Sequence, residues 1–345
     1  MTNLIGKSKL RNHIQSCSCN ITTNKALQYD PSRTLTLRNK FSADMTRRFK
    51  LLKKMITELV GTMDVFGLSS PKQLDLFTNA VAGPRGFAFR TDAEKVADFM
   101  AWLMEMEDKH LLTVTVRSGR TVVARQAWEN LYIESAYKKG IERAYSELNK
   151  AGASIDGAMN AAFFSPVNAD AVGLLYTRTF NELKGVTDVM DQQISRILAQ
   201  GLAEGLGAFQ IAKDINTVVD NIGINRARTI ARTEIIRAHH VATINTYKSA
   251  GIKDVKILAE WSTANDARVC SLCAPLEGTI WPLDKAEAMI PRHPNCRCVA
   301  IPYLPPDEES RKEENRRKRA LEDGVRKSID SGKGKSWAGG EQIIS

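Results

Sequence analysis

The sequence predicts a mainly α-helical protein with a small C-terminal α+β module: an elongated helical body and a module clamped by cysteine and histidine. Apolar residues recur at three- and four-residue spacings as far as residue 250, which is typical of amphipathic helices. After Gly251 the pattern changes to short strands, turns and cysteines. With 345 residues, 43% of them hydrophobic, the chain is long enough for two domains, and its composition excludes disordered and collagen-like classes.

The net charge of +10 is concentrated at the N-terminus, where the first 60 residues hold twelve basic and three acidic side chains. A local cationic segment attracts nucleic-acid phosphate, anionic lipid or an acidic protein surface without distinguishing between them. We find no apolar run long enough to span a bilayer and no secretory signal, so we expect a cytosolic protein without a membrane partner.

The first predicted helix follows Asp30-Pro31, interpreted as an N-cap and a first-turn proline. One face of this helix is apolar and is formed by Phe41, Met45, Phe49, Leu52, Ile56 and Leu59. The opposite face is basic and is expected to meet solvent or an anionic partner; it carries Arg38, Lys40, Arg47, Arg48, Lys50, Lys53 and Lys54.

Further helices are predicted from Thr91-Asp92 to Met106, from Val123 to Leu148, and over 168–204, 208–221 and 225–250. Residues 67–90 are expected to form an irregular connection with a short strand, and Leu131 is expected in the core with the aromatic residues of its helix. Strands are predicted around Leu258 and over 298–304. These patterns give a flexible arm at 1–30, a helical domain at 31–224, the module at 225–305 and a charged, disordered tail at 306–345.

Four of the six cysteines fall close together, as Cys270-Ser-Leu-Cys273 and His293-Pro-Asn-Cys296-Arg-Cys298. Two C-x-x-C-like gaps direct four thiolate or imidazole donors toward one centre, which is the tetrahedral set that zinc prefers. Cys298 is a fifth candidate ligand. The alternatives are one or two disulfides, or reduced thiols that are merely neighbours. A structural Zn²⁺ would add folding energy to a module with little apolar content.

A catalytic role finds little support in the motifs. The deaminase signature and the H-E-x-x-H metalloprotease motif are both missing from the sequence, so a catalytic zinc is not expected. His239 and His240 point about 100° apart on one helix, and we interpret them as one packed and one solvent-facing histidine. Arg232 and Glu234 are interpreted as a structural polar pair. His13, Cys17 and Cys19 offer only part of a second metal site.

The order of these residues closely resembles the Mu F-like head morphogenesis (minor capsid) proteins of tailed bacteriophages. The resemblance covers about 225–305, and the matched positions are Arg232, Glu234, Asp266, Arg268, Cys270, Cys273, Gly278, His293, Cys296 and Cys298. Trp261 and Pro302 also fit the pattern.

The resemblance implies a non-enzymatic assembly protein that acts in the host cytoplasm and then resides in the virion, in the head interior or portal region. It implies the portal protein and the scaffold or major capsid protein as partners, with non-specific contact to double-stranded DNA. The alternative hypothesis is a zinc-dependent nuclease or delivered toxin, although no added toxin domain is recognisable after Pro306. Asp266 and Arg268 are expected to fix the loop before the first thiol.

Overall fold

A computed structural model describes residues 30–68, 81–82, 88–89, 91–117, 120–123, 127–153, 162–251 and 257–305, with positions 316 and 323. The predicted arm and tail therefore lie almost entirely outside the described residues, as does the partial metal motif at His13, Cys17 and Cys19. The structure is mostly helical, with a small three-stranded antiparallel sheet near the C-terminus, which confirms the predicted fold class.

Among the described residues, the helical part has six long helices, three of which are extended by a π-helical turn. They are α1 (Leu35–Ile56, extended by Thr57–Thr62), α2 (Asp92–Glu107, extended by Asp108–Leu112), α3 (Trp128–Lys150), α4 (Pro166–Glu204), α5 (Ala208–Val218, extended by Val219–Ile224) and α6 (Asn225–Gly251). The predicted break near residue 222 is thus a π-helical turn that joins α5 to α6.

The strands of the described residues form three small antiparallel sheets. They are β1 (Val81–Ala82) with β2 (Ala88–Phe89), β3 (Val114–Arg117) with β4 (Arg120–Val123), and the order β6-β5-β7 formed by β5 (Leu258–Ser262), β6 (Ile280–Trp281) and β7 (Val299–Tyr303). A short helix, α7 (Leu283–Glu287), follows β6. Elements α1 to β7 all belong to one compact unit, Met1–Tyr303, and Leu304–Ser345 is assigned to a second. The predicted division at residue 224 stays a prediction.

The start of α1 differs from its prediction. The helix begins at Leu35, and Asp30-Pro31 lies in the turn before it. Asp30 nevertheless caps the helix, because its carboxylate accepts a hydrogen bond from the Leu35 N–H at 2.6 Å and another from the Arg38 guanidinium at 2.9 Å. The loop folds back so that a residue five positions away satisfies an N–H that has no partner within the helix.

The apolar face of α1 is confirmed, since all six predicted residues are buried in the main core. Its basic face is narrower than predicted. Arg38 is only 5% exposed, Arg48 lies 4.0 Å above the Trp128 ring, and Lys53 pairs with Asp220 at 2.5 Å. These three cations interact with partners inside the protein, and those interactions compensate for the hydration that the charges lose on burial. They are therefore not available to an outside partner.

The third helix was predicted to begin at Val123, and this is wrong. Val123 ends β4, whose partner Val114 begins β3, and the helix begins only at Trp128. Leu131, which was expected in the core, is 63% exposed. The helix turns Trp128, Ile133 and Tyr137 inward, so the aromatic residues Trp128 and Tyr137 are buried as predicted while Leu131 faces outward.

Helices α3 and α6 approach one another unusually closely at Gly140. A Cβ atom at this position would lie 2.3 Å from the His239 carbonyl oxygen and 2.7 Å from the Ala242 Cβ. Real Cβ atoms essentially never come within 3.0 Å of other heavy atoms. Glycine is therefore required here for close packing, and the contact holds α6, which carries part of the C-terminal module, against the body of the protein.

Candidate metal centre

The cysteine and histidine side chains of the C-terminal module converge, as the motif spacing predicted. Cys270, Cys273 and His293 form one triad, and Cys273, Cys296 and Cys298 form another. Within each triad the donor atoms all lie within 4.8 Å of one another. Cys273 belongs to both triads, so its thiol is the centre of the cluster.

In the first triad, the imidazole ring of His293 lies close to both thiols. His293 Nε2 lies 3.2 Å from the Cys270 Sγ and 3.3 Å from the Cys273 Sγ. The other ring nitrogen, Nδ1, donates to the Pro294 carbonyl at 2.8 Å, in the tautomer that leaves the Nε2 lone pair directed at the thiols. An outer hydrogen bond of this kind commonly orients metal-binding histidines.

Local backbone structure positions the two cysteine segments. The Cys270 carbonyl accepts the N–H groups of Cys273 and Ala274 at 3.1 and 3.0 Å, which forms the tight turn that brings the first pair of thiols together. The Cys296 N–H donates to the His293 carbonyl at 3.1 Å and forms an equivalent turn. Cys296 and Cys298 precede β7, so Cys298 lies just before the strand that was predicted to begin with it.

An ion pair between Asp266 and Arg297 connects these segments. Both guanidinium nitrogens of Arg297 lie 2.6 Å from the Asp266 carboxylate oxygens, whereas Arg268 is 3.6 Å away. The hydrogen bonds from Arg297 hold the pKa of Asp266 well below its usual range. The sequence interpretation paired Asp266 with Arg268, whose backbone N–H does donate to the Asp266 carboxylate at 3.0 Å, but it missed Arg297. The sequence did contain an indication of this pair, because Arg297 stands between two cysteines. From that position its guanidinium group can reach a carboxylate on the facing loop.

The thiols differ in their surroundings. Cys273, Cys296 and Cys298 are buried with Ile236, Trp261 and Ile290 in a small apolar cluster, and Cys270 is half-buried. A hydrogen bond from the Cys298 thiol lowers the pKa of Cys296, and the same bond raises the pKa of Cys298. Burial raises the pKa of Cys273 to about 12. A cation in the cluster would stabilise the thiolate forms, which are the forms that bind metal.

The donor set fits a metal ion of the zinc type. Three thiols and one imidazole, or four thiols, match the Cys₃His and Cys₄ sets of closed structural sites. Cys270, Cys273 and His293 would supply three ligands, with Cys296 or Cys298 as the fourth. The cluster could therefore hold a metal, and its outer hydrogen bonds and ion pair would fix the loops around it.

The loop between β5 and β6 is built around Gly278. This residue adopts a left-handed conformation, with φ of 71°, and its N–H donates to the Trp261 carbonyl at 2.9 Å. Just before it, Glu277 accepts the Thr263 N–H at 2.6 Å. Gly278 therefore belongs to the matched motif because a non-glycine residue would be strained in this turn.

Two sequence interpretations on α6 need correction. His239 and His240 are both buried, at 2% and 1% exposure, because α3 packs on one side of the helix and α7 on the other. His240 Nε2 donates to the Ala286 carbonyl at 2.9 Å. Burial lowers the pKa of His239 to about 3 and that of His240 to about 4.

Glu234 is not paired with Arg232. Its buried carboxylate lies 3.2 Å from Arg178 Nε and 3.3 Å from Arg237 Nε, while Arg232 is exposed. This connection ties α6 to α4. A neighbouring residue, Thr233, joins α6 to the loop that carries Cys296, because its hydroxyl accepts the Asn295 N–H at 3.1 Å. The motif around residue 233 thus connects the helical body to the cluster.

A comparison with protein families finds a match over residues 192–301, to the family described as Phage Mu protein F like protein. This chain carries a Phage Mu protein F-like domain. The match begins within α4, includes α5 and α6, and ends in β7, so the Mu F-like domain contains the helices beneath the cluster as well as the cluster itself. It therefore confirms the resemblance seen in the motifs. Searches of curated proteins and of solved structures found no significant match.

Proposed function

We propose that this protein acts in assembly of the bacteriophage head, as a minor component that associates with the portal and with the scaffold or major capsid protein. The family match over residues 192–301 is the observation that supports this most directly. The protein would act in the host cytoplasm and then remain in the virion, in the head interior or portal region. None of the described helices has the length and apolarity needed to cross a bilayer.

The proposed role is non-enzymatic. Burial of His239 and His240 supports this, because a general base must reach its substrate and these two rings do not reach solvent. His240 is also committed to the Ala286 carbonyl. In a direct test, the purified protein would be incubated with DNA, RNA and divalent metals, and metal-dependent turnover would contradict the proposal.

The assembly role predicts that the protein sediments with procapsids. The full-length chain would be produced in a host that makes the portal, scaffold and major capsid proteins, and particles would be separated on a gradient. We expect the protein in the procapsid fraction and on the isolated portal oligomer. Recovery exclusively as a free monomer would refute the assignment.

The cluster is proposed to bind one structural zinc ion. A bound Zn²⁺ would supply a closed four-coordinate centre, and the role of Cys270, Cys273 and His293 would be to fix the loops around it. We expect about one zinc per reduced chain by elemental analysis. Cys273→Ser should abolish binding, since Cys273 belongs to both triads. The exposed neighbour Ser271 provides the control, because Ser271→Ala removes no donor and should leave the zinc content unchanged.

The competing interpretation is a disulfide. Protein with no bound metal and no thiol accessible to alkylation after denaturation would favour disulfides over zinc. Such a result would change the chemistry of the cluster and leave the family assignment intact.

A further inference from the structure

A basic groove lies between α1 and α6, away from the cysteine cluster. It has a volume of about 600 Å³ and is open to solvent. Four of its eight lining side chains are cationic: Arg47 and Lys50 on α1, and Arg228 and Arg232 on α6. The remaining lining residues are small or polar, and no carboxylate is among the described residues that line it.

These cations differ from those that α1 uses internally. Arg38, Arg48 and Lys53 are engaged by a carboxylate or an aromatic ring, as the fold requires. Lys50 and Arg232 are exposed and form no ion pair with any residue in the described part of the chain. Their positive charge is therefore available to a partner.

The other two arginines are held in place. Arg228 Nε donates to the Thr46 hydroxyl at 3.0 Å, which leaves the other guanidinium nitrogens free to turn toward the groove. Arg47 is paired with Asp44, so part of its charge is neutralised. Arg228 and Arg232 are four residues apart on one helix, about 6 Å along its axis, and form a row opposite Arg47 and Lys50.

The shape and chemistry of the groove favour phosphate over an acidic peptide. A peptide-binding site needs apolar pockets that anchor side chains, and Ala43 is the only apolar residue among the described residues of the lining. Arginine, in contrast, presents a planar set of donors that matches phosphate oxygens, and two rows of cations suit a repeating anion. The part of the chain that the structure describes places no aromatic side chain in the groove for base stacking, so binding should not depend on base sequence.

We propose that the groove between α1 and α6 binds the phosphate backbone of double-stranded nucleic acid without sequence specificity, through Arg47, Lys50, Arg228 and Arg232. This inference rests on the proposed role in the phage head, which would bring the protein to the packaged genome. It assigns the contact with nucleic acid to a site formed jointly by α1 and the Mu F-like domain. The sequence analysis had considered the basic face of the first helix alone.

The test is a binding titration of the full-length protein against a fluorescent 30-base-pair duplex over a range of salt concentrations. The variant Lys50→Ala/Arg232→Ala removes the two exposed, unpaired cations. We expect weaker binding and a dependence of log K on log salt that is shallower by about two, since each lost phosphate contact changes the slope by about 0.9. Arg196→Ala/Lys285→Ala removes the same charge from exposed positions outside the groove and should bind as the wild type does. Two unrelated duplexes should bind equally.

Three outcomes would overturn the assignment. One is equal binding by wild type and the groove variant, and another is no binding by the wild type at low salt. The third is equally tight, groove-dependent binding of a polyglutamate peptide of matched charge, which would identify an acidic protein partner. Circular dichroism and thermal melting establish that both variants are folded. Procapsid association of the same proteins is measured separately. If the groove variant binds DNA as the wild type does while the wild type associates with procapsids, only the groove assignment is refuted. If DNA binding depends on the groove but the wild type does not associate with procapsids, only the assembly role is refuted.

Discussion

The close approach of α3 and α6 makes Gly140→Ala a sensitive test of the fold. In a helix interior, replacing glycine by alanine ordinarily stabilises by about 1 kcal/mol. At Gly140 the added methyl group would lie 2.3 Å from a backbone oxygen of the facing helix, which cannot rotate away as a side chain can. Overpacking of this kind costs about 3 kcal/mol, at the upper end of the usual range. The expected net destabilisation is therefore about 2 kcal/mol.

Two glycines on α4 provide matched controls. A Cβ atom at Gly173 or Gly185 would meet no heavy atom within 4 Å outside its own helix turn, so the propensity gain should appear without a clash. We expect Gly173→Ala and Gly185→Ala to stabilise by roughly 0.5 to 1 kcal/mol. The same substitution should thus lower the free energy of unfolding at Gly140 and raise it at Gly173 and Gly185. The difference measures the contact between α3 and α6, apart from the general effect of replacing glycine by alanine.

Urea unfolding of each variant gives the free energy of unfolding, and thermal melting gives a second measure. Gly140→Ala should lower the melting temperature by about 4 °C or more. If Gly140→Ala were as stable as the wild type, or gained stability as the α4 variants are expected to, the packing of α3 against α6 would be incorrect. The position of the Mu F-like domain relative to the helical body would then need revision.

Three further substitutions test separate features. Asp266→Asn should weaken zinc binding by about 10- to 100-fold in a chelator competition, since the carboxylate holds Arg297 between the cysteine segments, and unchanged affinity would contradict this role. For Glu107, burial and nearby Asp191 raise the carboxyl pKa, so the folded state binds its proton more tightly than the unfolded state. The free energy of unfolding should therefore fall as pH rises above about 4.3. Glu107→Gln should reduce that fall when unfolding is measured between pH 5 and pH 8. The control Glu105→Gln, on the same helix, should not reduce it. Thr91→Ala removes the side chain that caps α2 and should cost about 1 kcal/mol, with faster amide hydrogen exchange in the first turn of that helix.

The sequence identified the helices well where apolar spacing was regular. The buried residues of α1 recur as the pattern requires, and Thr91 with Glu94 forms the capping box that marks the start of α2. The sequence analysis failed where tertiary contacts decide which side chains are buried. The two histidines of α6 could not be distinguished, because whether a helix is covered on one face or on two depends on elements far along the chain.

The candidate site was predictable to a similar extent. Motif spacing predicted that Cys270, Cys273 and His293 meet, since short gaps restrict where the backbone can go. The partner of Asp266 was missed because Arg297 is distant in sequence and the choice between it and Arg268 depends on loop geometry. Likewise, the basic groove needs two helices, so the charge pattern of α1 alone could not reveal Arg228 and Arg232.

Helix α6 connects three separate parts of the protein. It contacts α3 through Gly140, reaches α4 through Glu234 and bonds the cysteine loop through Thr233. One continuous helix of 27 residues therefore joins the helical body to the cysteine cluster. A displacement of the cysteine loop would therefore be transmitted along α6 to α3 and α4.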